Sequence, residues 1–394
     1  MKSFKFKVKT HLEFGNGKIR NLGEWTKKSG YHKVGVILDK GVEKNKMIQD
    51  GIRALKDHDV EYVIFVNSAV EPDYDFLDEF KKKFIGAGFE CLIGIGGGST
   101  LDLTKGIATL VINPGPALSY RGFPELEHVP LPVIAVPTTA GTGSEVTYNA
   151  VFTNSQEKKK LGINSEYNYP VLAVIDPMIL TECPISVAVS AGCDALVHSL
   201  ESYVNVNHTP VSRMFSREAF KLLYNNLRKL PGGLHDVDVQ SGLALGAYLA
   251  GTALMNSGAG PAGGLSYVLG GVYKVPHGFA GATFIGAVTT WNVQKGYRDY
   301  GDLYDLIEGA DANQSTQEKN RLFAGCINDL LKQLGMPDVI PGYGLTSKDV
   351  DYIAGQYEML KGVIAMNPVS FSMEDIQGIV HQALDPYVHQ IVRA

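Results

Sequence analysis

Cysteine is scarce in this chain. The four present, Cys91, Cys183, Cys193 and Cys326, are scattered and form no C-x-x-C pair. That excludes a disulfide framework and a zinc-thiolate cluster, and it fits a reducing compartment. An excess of one charge is also missing: a formal net charge of −5 supplies no basic surface for nucleic acid or an anionic membrane. Nor is there a long hydrophobic run. The most apolar stretch, residues 243–255, is rich in Gly and Ala and is cut by Asn256, so it reads as a buried helix too short to span a bilayer. The opening MKSFKFKVKTHLEF alternates charge with apolar residues and does not read as a signal peptide. These absences together make a cytoplasmic location the expectation.

What is present is enough for two cores. The chain has 394 residues, 45% hydrophobic and 20% charged, which is ordinary for a globular protein of two domains. Its first half alternates short apolar runs with polar helical segments: VGVIL ending at Asp39, YVIFV, CLIGIGGGS, VIAVP and VLAVID. Helices are expected at 74–84 and 101–111. Continuous apolar strands separated by helices belong to a parallel sheet covered on both faces. VTYNAVFTN and KKKLGINS read as a hairpin. Beyond Pro184 the strand-like runs stop, and helical periodicity takes over at 212–227, 239–255, 316–334, 347–360 and 373–383. The fold class expected is therefore α/β followed by all-α, a Rossmann-like domain over 1–182 and a helical domain over 183–394.

Three stretches carry chemistry. Gly94 to Gly98 follow a strand and open a helix at about Thr100, an arrangement that lets backbone N–H groups and a helix N-terminus meet a phosphate. Ser99 breaks the usual G-x-G-x-x-G spacing, and a glycine turn with only a packing role is the competing reading. Asp39, at the end of the first apolar run, is placed to bond ribose hydroxyls and repel a 2′-phosphate, favouring NAD over NADP; a helix-capping Asp is its competitor. The loop Pro137-Thr-Thr-Ala-Gly-Thr-Gly-Ser-Glu145 is dense in hydroxyls at a strand end, where it can line a cofactor. Lys160 closes a basic run at 158–160 that reads by itself as a solvated face.

The third stretch is Asp194-Ala-Leu-Val-His198. An acid and an imidazole four apart on a helix share a face and can offer two ligands to one divalent ion. His277, between Pro276 and Gly278, is the candidate third. A helix histidine packed on Glu201, and a plain turn residue, are the alternatives for His198 and His277.

The combination Phe14-Gly15-x-Gly17, Gly96-Gly97-Gly98-Ser99-x-x-Asp102-x-x-Lys105, Pro137 to Glu145, Asp176-Pro177, Gly192-x-Asp194-Ala-Leu-x-His198-x-x-Glu201, Pro276-His277-Gly278 and Asn367-Pro368 resembles the iron-containing (group III) alcohol dehydrogenase family. The resemblance covers essentially the whole chain. It implies a dinucleotide-binding domain, a helical domain and an active site in the cleft between them. Asp39, Gly97, Gly98, Ser99, Asp102, Thr138, Thr139, Thr142 and Lys160 would contact NAD. Asp194, His198 and His277 would hold Fe(II) or Zn(II), and a small alcohol or aldehyde would be the substrate of a reversible hydride transfer. Homodimers or larger assemblies are expected, with residues 4–9 as an exposed edge strand.

One departure stands out. The family usually carries H-x-x-x-H before Leu269-Gly270, and here those positions are Gly263 and Tyr267, so one ligand is missing. Three ligands with open positions, loss of the metal with Tyr267 anchoring the substrate oxygen, and replacement by His208 or Cys193 are the readings that follow. Gly263 in place of a ring is expected to widen the pocket. Two functional alternatives stay open: oxidation of the terminal hydroxyl of an eight-carbon sugar acid, and a metal-free NAD-binding relative with little turnover.

Overall fold

Six short strands, four of them runs of mostly buried residues, set the architecture of the N-terminal region. In the computed structural model, which describes residues 3–157 and 159–391, they are β1 (His11–Phe14), β2 (Lys33–Asp39), β3 (Glu61–Asn67), β4 (Cys91–Gly96), β5 (Val133–Pro137) and, after a hairpin of β6 (Val151–Asn154) and β7 (Lys159–Gly162), β8 (Leu172–Ile175). The sheet order is β1-β8-β5-β4-β2-β3, every neighbouring pair being parallel. Strands β4, β5 and β8 are buried throughout, as required when helices cover both faces. β3 closes one edge and leaves Val63, Ile64 and Val66 exposed.

The helices of this region are α1 (Leu22–Lys28), α2 (Lys46–Asp57), α3 (Tyr74–Lys81), α4 (Gly98–Ile112) and the one-turn α5 (Pro177–Leu180). Asn45 and Asp73 cap α2 and α3 by accepting from the amides of Ile48 and Phe76, which ends the preceding strand-loop segments sharply. Phe80, Phe84, Phe89, Leu92, Leu103, Ile107 and Phe152 form one apolar core against the sheet. Its long side chains reach from α3 and α4 to the hairpin.

The chain clusters into two compact units, one of Val8–Pro184 with His235–Ala244 and one built mainly of Ile185–Leu234 and Leu245 onward. After β8 and α5 the described residues form only helices: α6 (Ile185–Val204), α7 (Pro210–Leu227), α8 (Leu230–Gly233), α9 (Val237–Met255), α10 (Pro261–Tyr273), α11 (His277–Gln294), α12 (Gly301–Tyr304), α13 (Thr316–Gln333), α14 (Met336–Val339), α15 (Ser347–Ala354), α16 (Tyr357–Ile364) and α17 (Met373–Ile391), joined by loops and one short 3-10 turn. α6, α7, α10 and α11 pack on one another. None of the described helices is long and apolar enough to cross a membrane.

Residues 4–9 pair with no strand of this chain; the backbone of Lys7 bonds the Asn256 side chain, N–H to Oδ1 at 2.7 Å and C=O to Nδ2 at 2.9 Å. Two expectations change. The helix after β4 begins at Gly98, three residues before 101, because Gly97 already serves as its N-cap. The helix expected over 347–360 is two, parted at Gly355 and Gln356, since Gly costs about 1 kcal/mol inside a helix. The glycine-rich stretch 258–271 is largely helical, with Pro261 at the first position of α10 and Lys274 closing it at φ 62°. Of the basic run 158–160, Lys158 lies outside the described residues.

One buried carboxylate fixes where the sheet meets its first loop. Asp176, fully buried, accepts from the amides of Gly17 at 3.0 Å, Ile19 at 3.1 Å and Met178 at 3.2 Å. Asp176→Ala strands three amides away from water, so it is expected to cost about 3 kcal/mol. Urea unfolding followed by circular dichroism measures it; a loss below about 1 kcal/mol would show that water replaces the carboxylate.

Candidate active site

The strand order places a crevice where β2 and β4 run side by side and their following helices diverge, since β3 lies beyond β2 and β5 beyond β4. Ligands of open parallel sheets bind at such a point. Asp39 ends β2 there, accepting from Gly41 N–H at 2.7 Å and from Thr100 Oγ1 at 3.2 Å. Gly96 to Gly98 lead into α4, whose first turn carries no acidic residue and whose N-cap makes no side-chain bond. That leaves its positive end available to an anion. A Cβ on Gly98 would come within 2.6 Å of Thr142 Cγ2, so only glycine fits against the 138–145 loop. The Thr138 amide bonds Gly96 O at 3.0 Å, and Thr142 Oγ1 accepts from Ser144 N–H at 3.1 Å. These features suit a dinucleotide's phosphates and ribose.

Two of the expected cofactor residues hold the protein together. Asp102 accepts from Ser144 Oγ at 2.5 Å and Val151 N–H at 2.9 Å, and lies 3.2 Å from the buried Lys105 ammonium. Lys105 in turn donates to the carbonyls of Thr147 and Asn149. The pair thus anchors the loop that carries Thr138, Thr139 and Thr142. Lys160 pairs with Glu71 at 2.8 Å. Burial pushes the Glu145 carboxyl at the loop's end up to about 7.

In the helical unit, Asp194, His198 and His277 converge. Asp194 Oδ1 is 3.6 Å from His198 Nε2 and 3.7 Å from His277 Nε2, and one donor atom of each residue lies within 4.8 Å of the other two. Those separations are long for hydrogen bonds. They are close to the roughly 3.4 Å edge expected between tetrahedral ligands about 2.1 Å from a shared centre. It is Nε2 of His198 that faces Asp194, while its Nδ1 is buried on the other side of the ring. The donor set of one carboxylate and two imidazoles fits a divalent ion such as Fe(II) or Zn(II).

The trio depends on one close approach. α6 carries Asp194 and His198 on one face, and α11 opens with His277 itself, so His277 is a helix residue and not part of a turn. A Cβ on Gly278 would overlap the Ser190 carbonyl of α6, which is why glycine must follow His277. Neither substitute for the missing ligand joins the cluster: His208 bonds Asn205 O at 2.6 Å, and Cys193 is fully buried, its thiol pushed up to about 12 by burial.

Glu201 does not pack on His198. It accepts from the amides of Gly260 at 2.7 Å, Ala262 at 2.7 Å and Gly263 at 3.1 Å, the first turn of α10. Burial pushes its carboxyl up to about 7, against those three bonds. A Cβ on Gly263 would lie 2.8 Å from Glu201 Oε2. The Glu201 carboxylate thus stands directly against Gly263. Tyr267, one turn further on, is 39% exposed, and its ring centroid is 5.1 Å from that of His277. Sequence reading gave no role to Ser266 or Thr100; their only signal was position, beside Tyr267 and at the head of α4.

Residues 9–177 match the family described as iron-containing alcohol dehydrogenase, and residues 188–384 match its C-terminal domain. The chain is 29% identical over 378 residues to the 1,3-propanediol dehydrogenase of Citrobacter freundii, covering 94% of this chain and 96% of that one. It is 28% identical over 375 residues to the NAD-dependent methanol dehydrogenase of Bacillus methanolicus, covering 94% and 97%. The solved alcohol dehydrogenase from Oenococcus oeni superposes with a TM-score of 0.90 at 28% identity, covering 97% of this chain and all of that one. With both halves matched, a crevice at the sheet's switch point and a carboxylate-imidazole trio on α6 and α11, the chain belongs to the iron-containing alcohol dehydrogenase family.

Proposed function

We propose that the chain transfers hydride reversibly between NAD(H) and a small alcohol/aldehyde pair, with Asp194, His198 and His277 holding Fe(II) or Zn(II). The observation that carries this is the convergence of three donor atoms from α6 and α11 at ligand spacing. Such an ion supplies Lewis acidity toward a substrate oxygen, and the nicotinamide supplies the hydride. Asp39 bonds the adenosine ribose and disfavours a 2′-phosphate, which supports NAD over NADP. The N-terminus of α4 and the 138–145 loop hold the phosphates and the nicotinamide ribose through Gly97, Gly98, Ser99, Thr138, Thr139 and Thr142. Asp102 and Lys105 act by keeping that loop in place. Tyr267 stands beside His277 and is the side chain placed to meet the substrate.

Two experiments test the two halves separately. Asp194→Ala is expected to lose the ion and about a hundredfold or more in turnover, while NADH binding is kept. Metal analysis of the purified protein, beside NADH absorbance with an aldehyde panel after Fe(II) or Zn(II) loading, reads both. NADH binding without metal or turnover in the native chain would instead favour a binding protein. Gly98→Ala forces Thr142 aside and is expected to weaken NADH binding about tenfold, about 1.4 kcal/mol, with metal content unchanged. Undiminished NADH fluorescence titration in that variant would reduce the glycine turn to packing alone.

A further inference from the structure

A continuous hydrogen-bonded path runs from α6 to His277 through α10. Glu201 Oε1 accepts from the Gly263 N–H at 3.1 Å. The Gly263 carbonyl accepts from Ser266 Oγ at 2.6 Å. Ser266 Oγ lies 3.3 Å from His277 Nδ1. A serine hydroxyl has one proton to give. The Gly263 carbonyl is the nearer of its two partners, and assigning the proton to that bond makes Ser266 an acceptor toward His277 Nδ1. On that assignment His277 carries its proton on Nδ1 and leaves Nε2, 3.7 Å from Asp194 Oδ1, free of one. That is the tautomer a metal-binding imidazole requires.

The start of the path is held firmly. Both Glu201 oxygens are used, Oε2 by the Gly260 amide and Oε1 by those of Ala262 and Gly263, and the residue is 2% exposed. These are amides of the first turn of α10, which that helix cannot satisfy internally. Its own N-cap, Gly260, has no side chain to do so. A carboxylate from a different helix thus sets the position of α10, and with it Ser266. The contact needs Gly263 bare, since a Cβ there would stand 2.8 Å from Glu201 Oε2.

We propose that Glu201 is a positioning residue for His277, fixing its tautomer by holding the backbone of Gly263, whose carbonyl holds Ser266. For its functional weight this rests on reading His277 as a metal ligand; the path itself does not. Glu201→Gln turns one acceptor into a donor facing backbone N–H groups, and Ser266→Ala removes the last link. Gly263→Ala displaces the carboxylate while leaving Glu201 in the chain.

The test uses the full-length protein with 15N-labelled histidine. In the native chain the His277 ring is expected to show a protonated Nδ1 and an unprotonated Nε2. Glu201→Gln, Gly263→Ala and Ser266→Ala should each shift it toward a mixture of tautomers, and Glu201→Asp should restore part of the native pattern. In metal-loaded protein the same variants should weaken the ion's affinity about ten- to a hundredfold in chelator competition. A native His277 pattern in both Ser266→Ala and Gly263→Ala would overturn the proposal, even if Glu201→Gln fails to fold. A native chain that binds no metal, yet loses the tautomer signature in these variants, would uphold the path and remove only the metal reading.

Discussion

The nearness of α11 to α6 governs the candidate site. Gly278 lies so close to α6 that a methyl group would overlap the Ser190 carbonyl, and one turn on a Cβ at Gly281 would stand 3.3 Å from Val197 Cγ2. Helix axes brought together by small residues place side chains at the contact within ligand distance of one another. That is how the first residue of α11 reaches two side chains on α6. α10 completes the arrangement by packing on both, its first turn tied to α6 through Glu201. The chemistry thus sits where backbone, and not bulky side chains, makes the contact.

The carboxyl end of the parallel sheet follows a different logic. There the parallel sheet delivers strand ends to one edge, and the chain places small or short polar residues at each: Asp39 after β2, the glycines after β4, the threonines after β5. The buried Lys105 and Asp102 then tether the longest of these loops. Burying an ammonium is expensive unless it is well bonded. Here two carbonyls and a carboxylate surround it, which ties the loop to α4.

Much of this was legible in the sequence, for reasons that differ by element. β2, β4, β5 and the β6–β7 hairpin announce themselves as apolar runs between turn residues. β1 does not, because four residues, HLEF, become a strand only by pairing with β8 more than 150 positions away. α10 is hidden for the opposite reason: five of its thirteen residues are Gly or Pro, so its helicity is imposed by neighbours such as Val363 against Gly264. Asp194 and His198 could be paired from helical spacing alone. The place of His277, and what Glu201 does, depended on how three helices meet, which no local pattern encodes.

On the proposed reading of Asp39 as the acid that meets the ribose, cofactor choice is coupled to the architecture of the sheet's edge. Its carboxylate receives the Gly41 amide and the Thr100 hydroxyl, so it joins the turn after β2 to the head of α4. Re-engineering the chain to accept a phosphorylated ribose would ordinarily begin by replacing this acid. Doing so here would also unfasten the turn from the helix, and a replacement would have to restore that link before the new nucleotide could be held as well as the old.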